Sequence, residues 1–251
     1  MKLGLIGFPL KNTFSKQYFE NKFKALKIDA ASYSNFPIES IDLFEDLLRQ
    51  NQELNGLNVT IPYKEKIIPY LTEIDAVAKE IGAVNCIKFK NNGEEKGLIG
   101  YNTDAFGFEY SLVNWMPKTI QKNAMVFGMG GAAKAVIYTL KKLGFSIQLV
   151  GRTADASTGK ISYDELTETH FKTATLLVNC SPVGMSPNDQ ALLPIPYQFI
   201  TPAHFCYDLI YLPAQTLFLK SSAAQGASIK NGLEMLEKQA DKAFEIWQNI
   251  D

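Results

Sequence analysis

A glycine-rich turn between a strand and a helix constrains this fold more than any other feature of the sequence. The apolar run 124–127 predicts a buried strand that stops at Gly128. Residues 128–133 then fit the pattern G-x-G-x-x-G/A, with Ala133 in the third place. Apolar residues follow at helical spacing, and a second apolar strand ends at Val150. This order of strand, turn, helix and strand predicts a doubly wound α/β domain.

The residue types in this turn suit a ligand that carries phosphates. A glycine at position 128 permits the tight turn, and Gly130 lets the backbone approach a pyrophosphate. Ala133 allows the helix to pack closely against the strand. The helix N-terminus offers free N–H groups and its positive dipole end to the phosphates. We therefore predict a dinucleotide site; the alternative is a glycine turn in an α/β domain that binds nothing.

The residue after the second strand indicates which dinucleotide is bound. An acidic group there would accept a hydrogen bond from the ribose 2′-hydroxyl of NAD. This chain instead reads Gly151-Arg152-Thr153. A guanidinium suits a 2′-phosphate because its paired donors match the phosphate oxygens. Arg152 therefore favours NADP as the cofactor, and the alternative is a solvated surface arginine.

Composition narrows the class of protein. The chain has 251 residues, of which 46% are hydrophobic, so it can bury one large core or two small ones. The net charge of −1 argues against nucleic acid or an anionic membrane as a partner. The three cysteines are far apart and predict neither a disulfide framework nor a metal site. Without a signal peptide pattern or a membrane span, we expect a cytoplasmic α/β protein.

The order of the predicted elements divides the chain into two domains. Residues 1–103 hold about four strand patterns and their helices, without a nucleotide fingerprint. Residues 104–231 contain the glycine turn and the strands that follow it. A long amphipathic helix over 232–251 is expected to return to the first domain.

One lysine stands where stability alone would not place it. Pro62 ends a strand pattern and is well suited to the first turn of a helix, which we predict to continue to Leu71. Lys64 then falls in that first turn, where the helix dipole disfavours a cation. We therefore expect a specific partner or function for Lys64.

Several loop motifs, taken in order, resemble those of the shikimate dehydrogenase family over nearly the whole chain. Each motif means little alone, but the ordered set is specific. The matching segments are 7–9 with 13–15, 58–65, 82–85, 102–104, 130–132, 152–153, 179–185, 208–213 and 232–239.

The resemblance implies an NADP-dependent reduction of 3-dehydroshikimate to shikimate, with a substrate domain and a Rossmann-type NADP domain. Lys64 would carry the proton and Asp104 would be its partner; a nearby ammonium stabilises and protonates the alkoxide that forms from a ketone. The residues implied to bind substrate are Thr13, Ser15, Thr60, Asn85, Tyr211 and Gln239. Those implied to bind NADP are Gly128, Met129, Gly130, Gly131, Ala132, Arg152, Thr153, Leu209 and Gly232. No metal is implied, and the expected assembly is a monomer or homodimer.

The chain departs from the family pattern at a few positions. Asn12, Thr13 and Lys16 replace the usual His, Ser and Pro of the first loop. Thr13 keeps a hydroxyl but adds a methyl, which alters the fit around a carboxylate. Gly151 stands where Asn is common, and Ala156 stands where many members have a second basic residue. A weaker clamp on the 2′-phosphate, and a less strict choice of NADP over NAD, would follow.

Two other functions compete with this interpretation. A quinate or quinate/shikimate dehydrogenase shares most of these motifs, and Thr13 keeps that alternative open. A non-catalytic protein that senses NADP or a metabolite would have the same fold, but Lys64 and Asp104 speak against it. His170 and His204 lie outside every motif and are predicted to be structural or on the surface. Cys180 is predicted to be a small buried side chain and not a nucleophile.

Overall fold

The chain forms two compact α/β units, each built around a six-stranded sheet. The structure is a computed structural model that describes residues 1–10, 14–92 and 95–249. The first unit comprises Met1–Thr103 and Gln239–Asp251, and the second comprises Asp104–Lys238. Within the described ranges, no helix has the length and apolar character needed to cross a membrane. The predicted α/β class, with a doubly wound sheet around the glycine turn, is confirmed.

The first unit alternates strands and helices before it ends in a hairpin. Its strands are β1 (Lys2–Gly7), β2 (Ser32–Pro37), β3 (Leu54–Val59), β4 (Glu73–Ile74), β5 (Cys86–Asn92) and β6 (Glu95–Tyr101). Its helices are α1 (Phe14–Ala25), α2 (Phe44–Gln50) and α3 (Ala76–Ile81), and the C-terminal half of α8 (Leu233–Gln248) completes it.

The sheet of the first unit is parallel on one side and antiparallel on the other. Its strand order is β2-β1-β3-β5-β6-β4. β1 pairs in parallel with β2 and β3, whereas β5 runs antiparallel to both β3 and β6. Apolar residues cover both faces, because Ile6 and Ile87 belong to one buried cluster and Leu5 and Cys86 to another.

The second unit begins with a helix and continues with the glycine turn. Its strands are β7 (Asn123–Phe127), β8 (Ser146–Gly151), β9 (Ile161–Ser162), β10 (Leu176–Asn179), β11 (Phe205–Asp208) and β12 (Ser228–Lys230). Its helices are α4 (Asp104–Trp115), α5 (Gly131–Lys142), α6 (Glu168–Thr173) and α7 (Leu217–Ala224), followed by the first turns of α8.

All six strands of the second sheet are parallel, in the order β12-β11-β10-β7-β8-β9. Read from β9, this is the order 3-2-1-4-5-6 of the dinucleotide-binding fold. The side chains of β7 alternate between the two faces of the sheet. Met125 and Phe127 belong to the buried cluster on one face, and Ala124 and Val126 to the cluster on the other. Both faces are therefore covered, as a buried parallel sheet requires. The chain reverses its direction of addition between β7 and β10, and ligands bind at such a switch point.

The predicted helix over 62–71 is wrong. Turns occupy most of this segment, and a short 3₁₀ helix spans Ile68–Tyr70. Pro69 explains the difference, since a proline inside a helix lacks the N–H donor and clashes with the preceding turn. Lys64 therefore does not lie in the first turn of an α-helix, and the argument from the helix dipole does not apply to it.

Two short elements have no counterpart in the sequence prediction. β4 is a two-residue strand whose Glu73 and Ile74 pair in parallel with β6. α6 spans six residues and begins after a capping box, in which the Thr167 N–H donates to Nδ1 of His170 at 3.1 Å. Such elements are too short to leave a periodic apolar pattern in the sequence.

Candidate functional site

In the first unit, the loops that follow β1 and β3 pack together at one edge of the sheet. These strands are parallel, so their carboxyl ends lie at the same edge. The Thr60 N–H donates to the Ile6 carbonyl at 2.9 Å. A Cβ added to Gly7 would lie 2.5 Å from Cγ2 of Thr60. Glycine at position 7 therefore permits the close approach that fixes Thr60 at this edge.

The antiparallel strands bring Asn85 and Thr103 to the same edge. β5 runs opposite to β3, with Cys86 beside Asn58, so the residue before β5 meets the end of β3. The Val59 N–H donates to the Asn85 carbonyl at 2.9 Å, and the Asn85 N–H donates to the Tyr101 carbonyl at 3.0 Å. Backbone pairing on both sides therefore fixes Asn85.

Three buried polar side chains form a cluster here. Asn85 Nδ2 donates to Oγ1 of Thr103 at 3.0 Å and to Oε1 of Gln239 at 3.2 Å. Thr103 Oγ1 also lies 3.2 Å from Oε1 of Gln239, and the Thr103 N–H donates to Oδ1 of Asn85 at 2.7 Å. The cluster joins the predicted Asn85 and Gln239 through Thr103. Its amides and hydroxyl are uncharged donors and acceptors, which suit hydroxyl groups of a ligand.

A series of hydrogen bonds from Tyr33 through Asn58 also holds Asn85 in this cluster. The Tyr33 hydroxyl donates to Oδ1 of Asn58 at 2.8 Å, and Asn58 Nδ2 donates to the Asn85 carbonyl at 3.2 Å. Burial raises the pKa of Tyr33 well above its ordinary value, and a hydrogen bond with Ser15 partly opposes the rise. Tyr33 is therefore a neutral phenol that links Ser15, in the first turn of α1, to the loop that carries Asn85.

Lys64 lies in the turn that follows β3. Its carbonyl accepts a hydrogen bond of 2.7 Å from the Val84 N–H, directly before Asn85. The Tyr63 N–H donates to the Thr60 carbonyl at 2.9 Å, which closes the turn. The backbone on both sides of Lys64 is thus tied to Thr60 and Asn85, and its side chain is half-buried. Thr13, the other hydroxyl predicted for this site, lies outside the described residues.

In the second unit, the predicted cofactor residues all follow parallel strands. Gly128 follows β7, Arg152 follows β8, Leu209 follows β11 and Gly232 comes shortly after β12. The carboxyl ends of these strands share one edge of the sheet. The structure therefore brings four segments that are distant in sequence to the edge where this fold binds ligands.

The glycine turn fits a dinucleotide phosphate. Gly128 has φ +99°, and a Cβ there would lie 3.0 Å from the backbone nitrogen of Ser181. Gly130 is the N-cap of α5 and, as a glycine, has no side chain that could cap this helix. A Cβ on Gly130 would meet no described atom within 4 Å, so there is open space beside the residue that precedes this helix. Open N–H groups at a helix start are the donor set that a pyrophosphate requires.

The remaining residues of this turn and strand end lie beside the opening. Met129 is 40% exposed, and Gly131 and Ala132 occupy the first turn of α5. Arg152 and Thr153 are exposed after β8. An exposed guanidinium at this strand end can meet a phosphate without first breaking a buried pair.

Glycine is required at position 232 because two backbone segments nearly touch. A Cβ on Gly232 would lie 2.0 Å from the Leu209 carbonyl oxygen. The Gly232 N–H donates to the Ile210 carbonyl at 3.2 Å. The loop after β11 and the start of α8 are therefore held together at this glycine.

A buried carboxylate organises the loops after β10 and β11. Asp208 Oδ1 accepts from the Ile210 N–H at 3.0 Å and from Asn179 Nδ2 at 3.1 Å, and its Oδ2 accepts from Thr216 Oγ1 at 2.6 Å. Asn179 Oδ1 in turn accepts from the Ser181 N–H at 3.0 Å. Burial raises the pKa of Asp208 to about 6, and these hydrogen bonds oppose the rise.

The second unit contains Tyr211, predicted to bind substrate, and Asp104, predicted to be the partner of Lys64. Tyr211 follows β11 within the loop that Asp208 organises, and burial raises the pKa of its phenol. Asp104 is the first residue of α4 and is buried. A carboxylate at a helix N-terminus is favoured by the helix dipole. Lys64 and Asp104 belong to different units, so their pairing stays a prediction.

Comparison with known proteins identifies the family. Residues 5–87 match a family model described as the shikimate dehydrogenase substrate binding domain. The shikimate dehydrogenase (NADP(+)) of Carboxydothermus hydrogenoformans is 39% identical over 268 residues, which cover 98% of this chain and 91% of that protein. This chain belongs to the shikimate dehydrogenase family. The roles of its individual residues stay predictions.

Solved structures of shikimate dehydrogenase relatives have the same fold. A crystal structure of a shikimate dehydrogenase in complex with NADP+ has a TM-score of 0.88 at 30% identity, covering 100% of this chain and 90% of that one. Quinate dehydrogenase from Corynebacterium glutamicum, in complex with NAD, has a TM-score of 0.87 at 25% identity, covering 100% and 94%. The fold therefore accommodates both cofactors and more than one substrate among its relatives.

Sequence reasoning missed three polar residues of this shikimate dehydrogenase family member. Thr103 lies in the family-like segment 102–104 and Asn58 in the family-like segment 58–65, so the sequence does distinguish their positions. Tyr33 lies outside every motif, and nothing in the local sequence distinguishes it from a core aromatic. Only the tertiary structure shows that its hydroxyl reaches Asn58.

The two histidines make structural contacts, and Cys180 lies in an environment that does not favour a nucleophile. His204 is buried and its Nε2 lies 2.9 Å from the Phe171 carbonyl, while His170 belongs to the capping box of α6. Cys180 is half-buried, so the prediction of a buried side chain is wrong. Burial of the thiol still raises its pKa well above the ordinary value, which disfavours a reactive thiolate. Among the described residues, no group of three metal-ligating side chains could hold a metal ion.

Proposed function

We propose that this chain catalyses the reversible, NADPH-dependent reduction of 3-dehydroshikimate to shikimate. The observation that carries the proposal is the buried cluster of Asn85, Thr103 and Gln239 in a member of this family. A small ring with several hydroxyl groups can exchange hydrogen bonds with these amides and this hydroxyl. No charged group of the cluster would compete for the ligand carboxylate, which we assign to the hydroxyls of Thr13 and Ser15.

The open space beside Gly130 at the start of α5, the close backbone at Gly128 and the exposed Arg152 support NADP as the cofactor. When bound, NADPH supplies the hydride. We assign to Gly128–Ala132 the contacts with the pyrophosphate, to Arg152 and Thr153 the contacts with the 2′-phosphate, and to Leu209 and Gly232 the wall of the nicotinamide side. A guanidinium binds a phosphate more tightly than it binds a ribose hydroxyl, because both partners are charged.

We assign to Lys64 the transfer of the proton to and from the substrate oxygen. During reduction, the carbonyl carbon accepts the hydride while the carbonyl oxygen takes a proton from the Lys64 ammonium. In the reverse direction, the neutral amine accepts the hydroxyl proton. The backbone hydrogen bond from Val84 holds the Lys64 turn beside Asn85. Asp104 is proposed to favour the charged form of the amine, and Thr60 and Tyr211 to bind the ring substituents.

One experiment tests this function against its main competitor. Initial rates are measured with shikimate and with quinate, each with NADP+ and with NAD+. We expect shikimate with NADP+ to give the highest kcat/KM. The structural likeness to a quinate dehydrogenase in complex with NAD makes quinate the second candidate substrate. A higher kcat/KM for quinate would replace the proposed substrate, and no turnover with any pair would favour a sensor.

We further propose that the enzyme acts in the cytoplasm as a monomer or a homodimer. The net charge of −1 bears on its partners, since it favours neither nucleic acid nor an anionic membrane surface over a small-molecule substrate. Sedimentation equilibrium of the purified protein distinguishes the two assembly states.

A further inference from the structure

A lysine side chain lies across the end of strand β8. A Cβ added to Gly151, the last residue of β8, would lie 3.2 Å from Cδ and 3.8 Å from Cε of Lys160. The methylene stem of Lys160 therefore covers Gly151, directly before Arg152. A glycine at this position leaves the space that the stem occupies.

The loop between β8 and β9 holds Lys160 in this place. Asp155 and Lys160 form an antiparallel bridge, with the Asp155 N–H donating to the Lys160 carbonyl at 2.8 Å and the reverse bond at 3.1 Å. Gln148 Nε2 donates to the Gly159 carbonyl at 2.9 Å. β9 then begins at Ile161, which pairs with Val150. The backbone of Lys160 is thus fixed on both sides, beside the end of β8.

Two positive charges border this strand end. Arg152 is exposed and follows Gly151. Burial raises the pKa of Tyr163, just beyond β9, and the charge of Arg152 opposes that rise. Within the described part of the chain, the Lys160 ammonium forms no ion pair with a carboxylate. It is therefore available to an anionic ligand.

One negative charge on the same loop opposes an anion. The Asp155 carboxylate accepts hydrogen bonds from the Ser157 N–H at 3.1 Å and Oγ at 2.6 Å. Hydrogen bonds from Ser157 and Thr158 lower the pKa of Asp155, and the charge of Lys160 lowers it further. Asp155 is therefore ionised at neutral pH. Without Lys160, Arg152 alone would have to offset Asp155 and bind the phosphate.

We propose that Lys160, together with Arg152, binds the adenosine 2′-phosphate of NADP and so helps the protein to distinguish NADP from NAD. This inference rests on the proposed function and names a specificity residue within it. It also explains why Ala156, an uncharged residue in the same loop, is compatible with an NADP site. The loop supplies its second cation from position 160, across the glycine at 151, in place of position 156.

The test uses the full chain and measures cofactor binding directly. Lys160→Met keeps the length of the stem and removes the charge, while Lys160→Arg keeps the charge. Lys141→Met is the matched control, because Lys141 is exposed in the last turn of α5, away from the carboxyl edge of the sheet. Isothermal titration gives the Kd of NADP+ and of NAD+ for each protein at one fixed ionic strength.

We expect Lys160→Met to weaken NADP+ binding about 10-fold, the effect of one exposed charged contact of about 1.4 kcal/mol. NAD+ binding should change less than about 2-fold, because NAD+ lacks the 2′-phosphate. Lys160→Arg should retain most of the NADP+ affinity, and Lys141→Met should change neither Kd. The loss caused by Lys160→Met should shrink as salt is raised, since salt screens exposed charges.

Equal losses for NADP+ and NAD+, or an NADP+ affinity of Lys160→Arg as low as that of Lys160→Met, would overturn this role. Unchanged NADP+ binding in Lys160→Met, in a wild type that prefers NADP+, would refute the inference and leave the proposed function intact. A wild type that binds NAD+ more tightly than NADP+ would instead remove the proposed cofactor, and this role with it.

Discussion

Replacing Asp208 with asparagine should remove a pH dependence from the stability of the protein. The Asp208 carboxylate is buried and accepts hydrogen bonds from Ile210, Asn179 and Thr216. An asparagine has nearly the same shape. Its oxygen can accept from Ile210 and Asn179, and its amide can donate to the Thr216 hydroxyl. The substitution therefore keeps the network and removes the ionisable group.

The magnitude follows from the pKa. Burial raises the pKa of Asp208 from 3.8 to about 6 in the folded protein. Since a carboxyl with a raised folded pKa binds its proton more tightly when folded, its contribution to stability is complete below pH 3.8 and is lost as pH rises through about 6. The whole effect is about 3 kcal/mol, and about 1.4 kcal/mol of it falls between pH 5 and pH 8.

The assay compares the free energies of unfolding of wild type and Asp208→Asn, from urea titrations at pH 5 and pH 8. Other groups titrate in both proteins, so the difference between them isolates Asp208. We expect Asp208→Asn to gain about 1.4 kcal/mol relative to wild type on going from pH 5 to pH 8. Asp189→Asn is the matched control, because Asp189 is exposed, and it should show no such change.

A difference between wild type and Asp208→Asn that stays constant from pH 5 to pH 8 would refute the reasoning. It would mean that Asp208 ionises as easily when folded as when unfolded, and that its three donors fully offset its burial. A change of opposite sign would mean that the donors outweigh burial.

Three further predictions concern cofactor, catalysis and packing. Arg152→Ala should weaken NADP+ binding by about 1.5–3 kcal/mol and NAD+ binding much less, and equal losses in the two Kd values would count against the role of Arg152. Lys64→Ala should lower kcat about 10²–10⁴-fold with NADP+ affinity unchanged. The double variant with Asp104→Asn should lose less kcat than the product of the two single losses, because the two residues act as a unit. A kcat of Lys64→Ala within about 3-fold of wild type would exclude Lys64 as the proton carrier. Gly232→Ala should destabilise by about 1–3 kcal/mol, because its Cβ would overlap the Leu209 carbonyl, and an unchanged melting temperature would contradict this.

The glycine turn was predictable because its signal is local. Gly128 needs φ +99°, and the apolar runs on both sides fix the strand and the helix within a few residues. The segment at 62–71 failed because the pattern was read past Pro69, which forbids a regular helix there. Pro62 suits the first turn of a helix, but the same local rule applied to Pro69 argues against continuing that helix to Leu71.

Other features could not be predicted, because they depend on contacts between distant residues. Tyr33 joins the series of hydrogen bonds that holds Asn85 only because β2 lies next to β1, which in turn pairs with β3 and places Asn58 within reach. Lys160 covers Gly151 only because its loop closes on itself before β9. Neither position has a sequence pattern that distinguishes it from an ordinary core tyrosine or a surface lysine.

The chemistry of the first unit restricts where a pH effect on catalysis can originate. Asn85, Thr103 and Gln239 do not titrate, and burial keeps the Tyr33 phenol neutral well above its ordinary pKa. Among the residues assigned to substrate and proton in this unit, Lys64 is the one that can change charge. In the reduction direction, where the Lys64 ammonium gives the proton, the pH profile of kcat/KM should therefore lose its basic limb in Lys64→Ala. If the residual activity of that variant keeps the wild-type profile, the proton is carried by a group outside this unit.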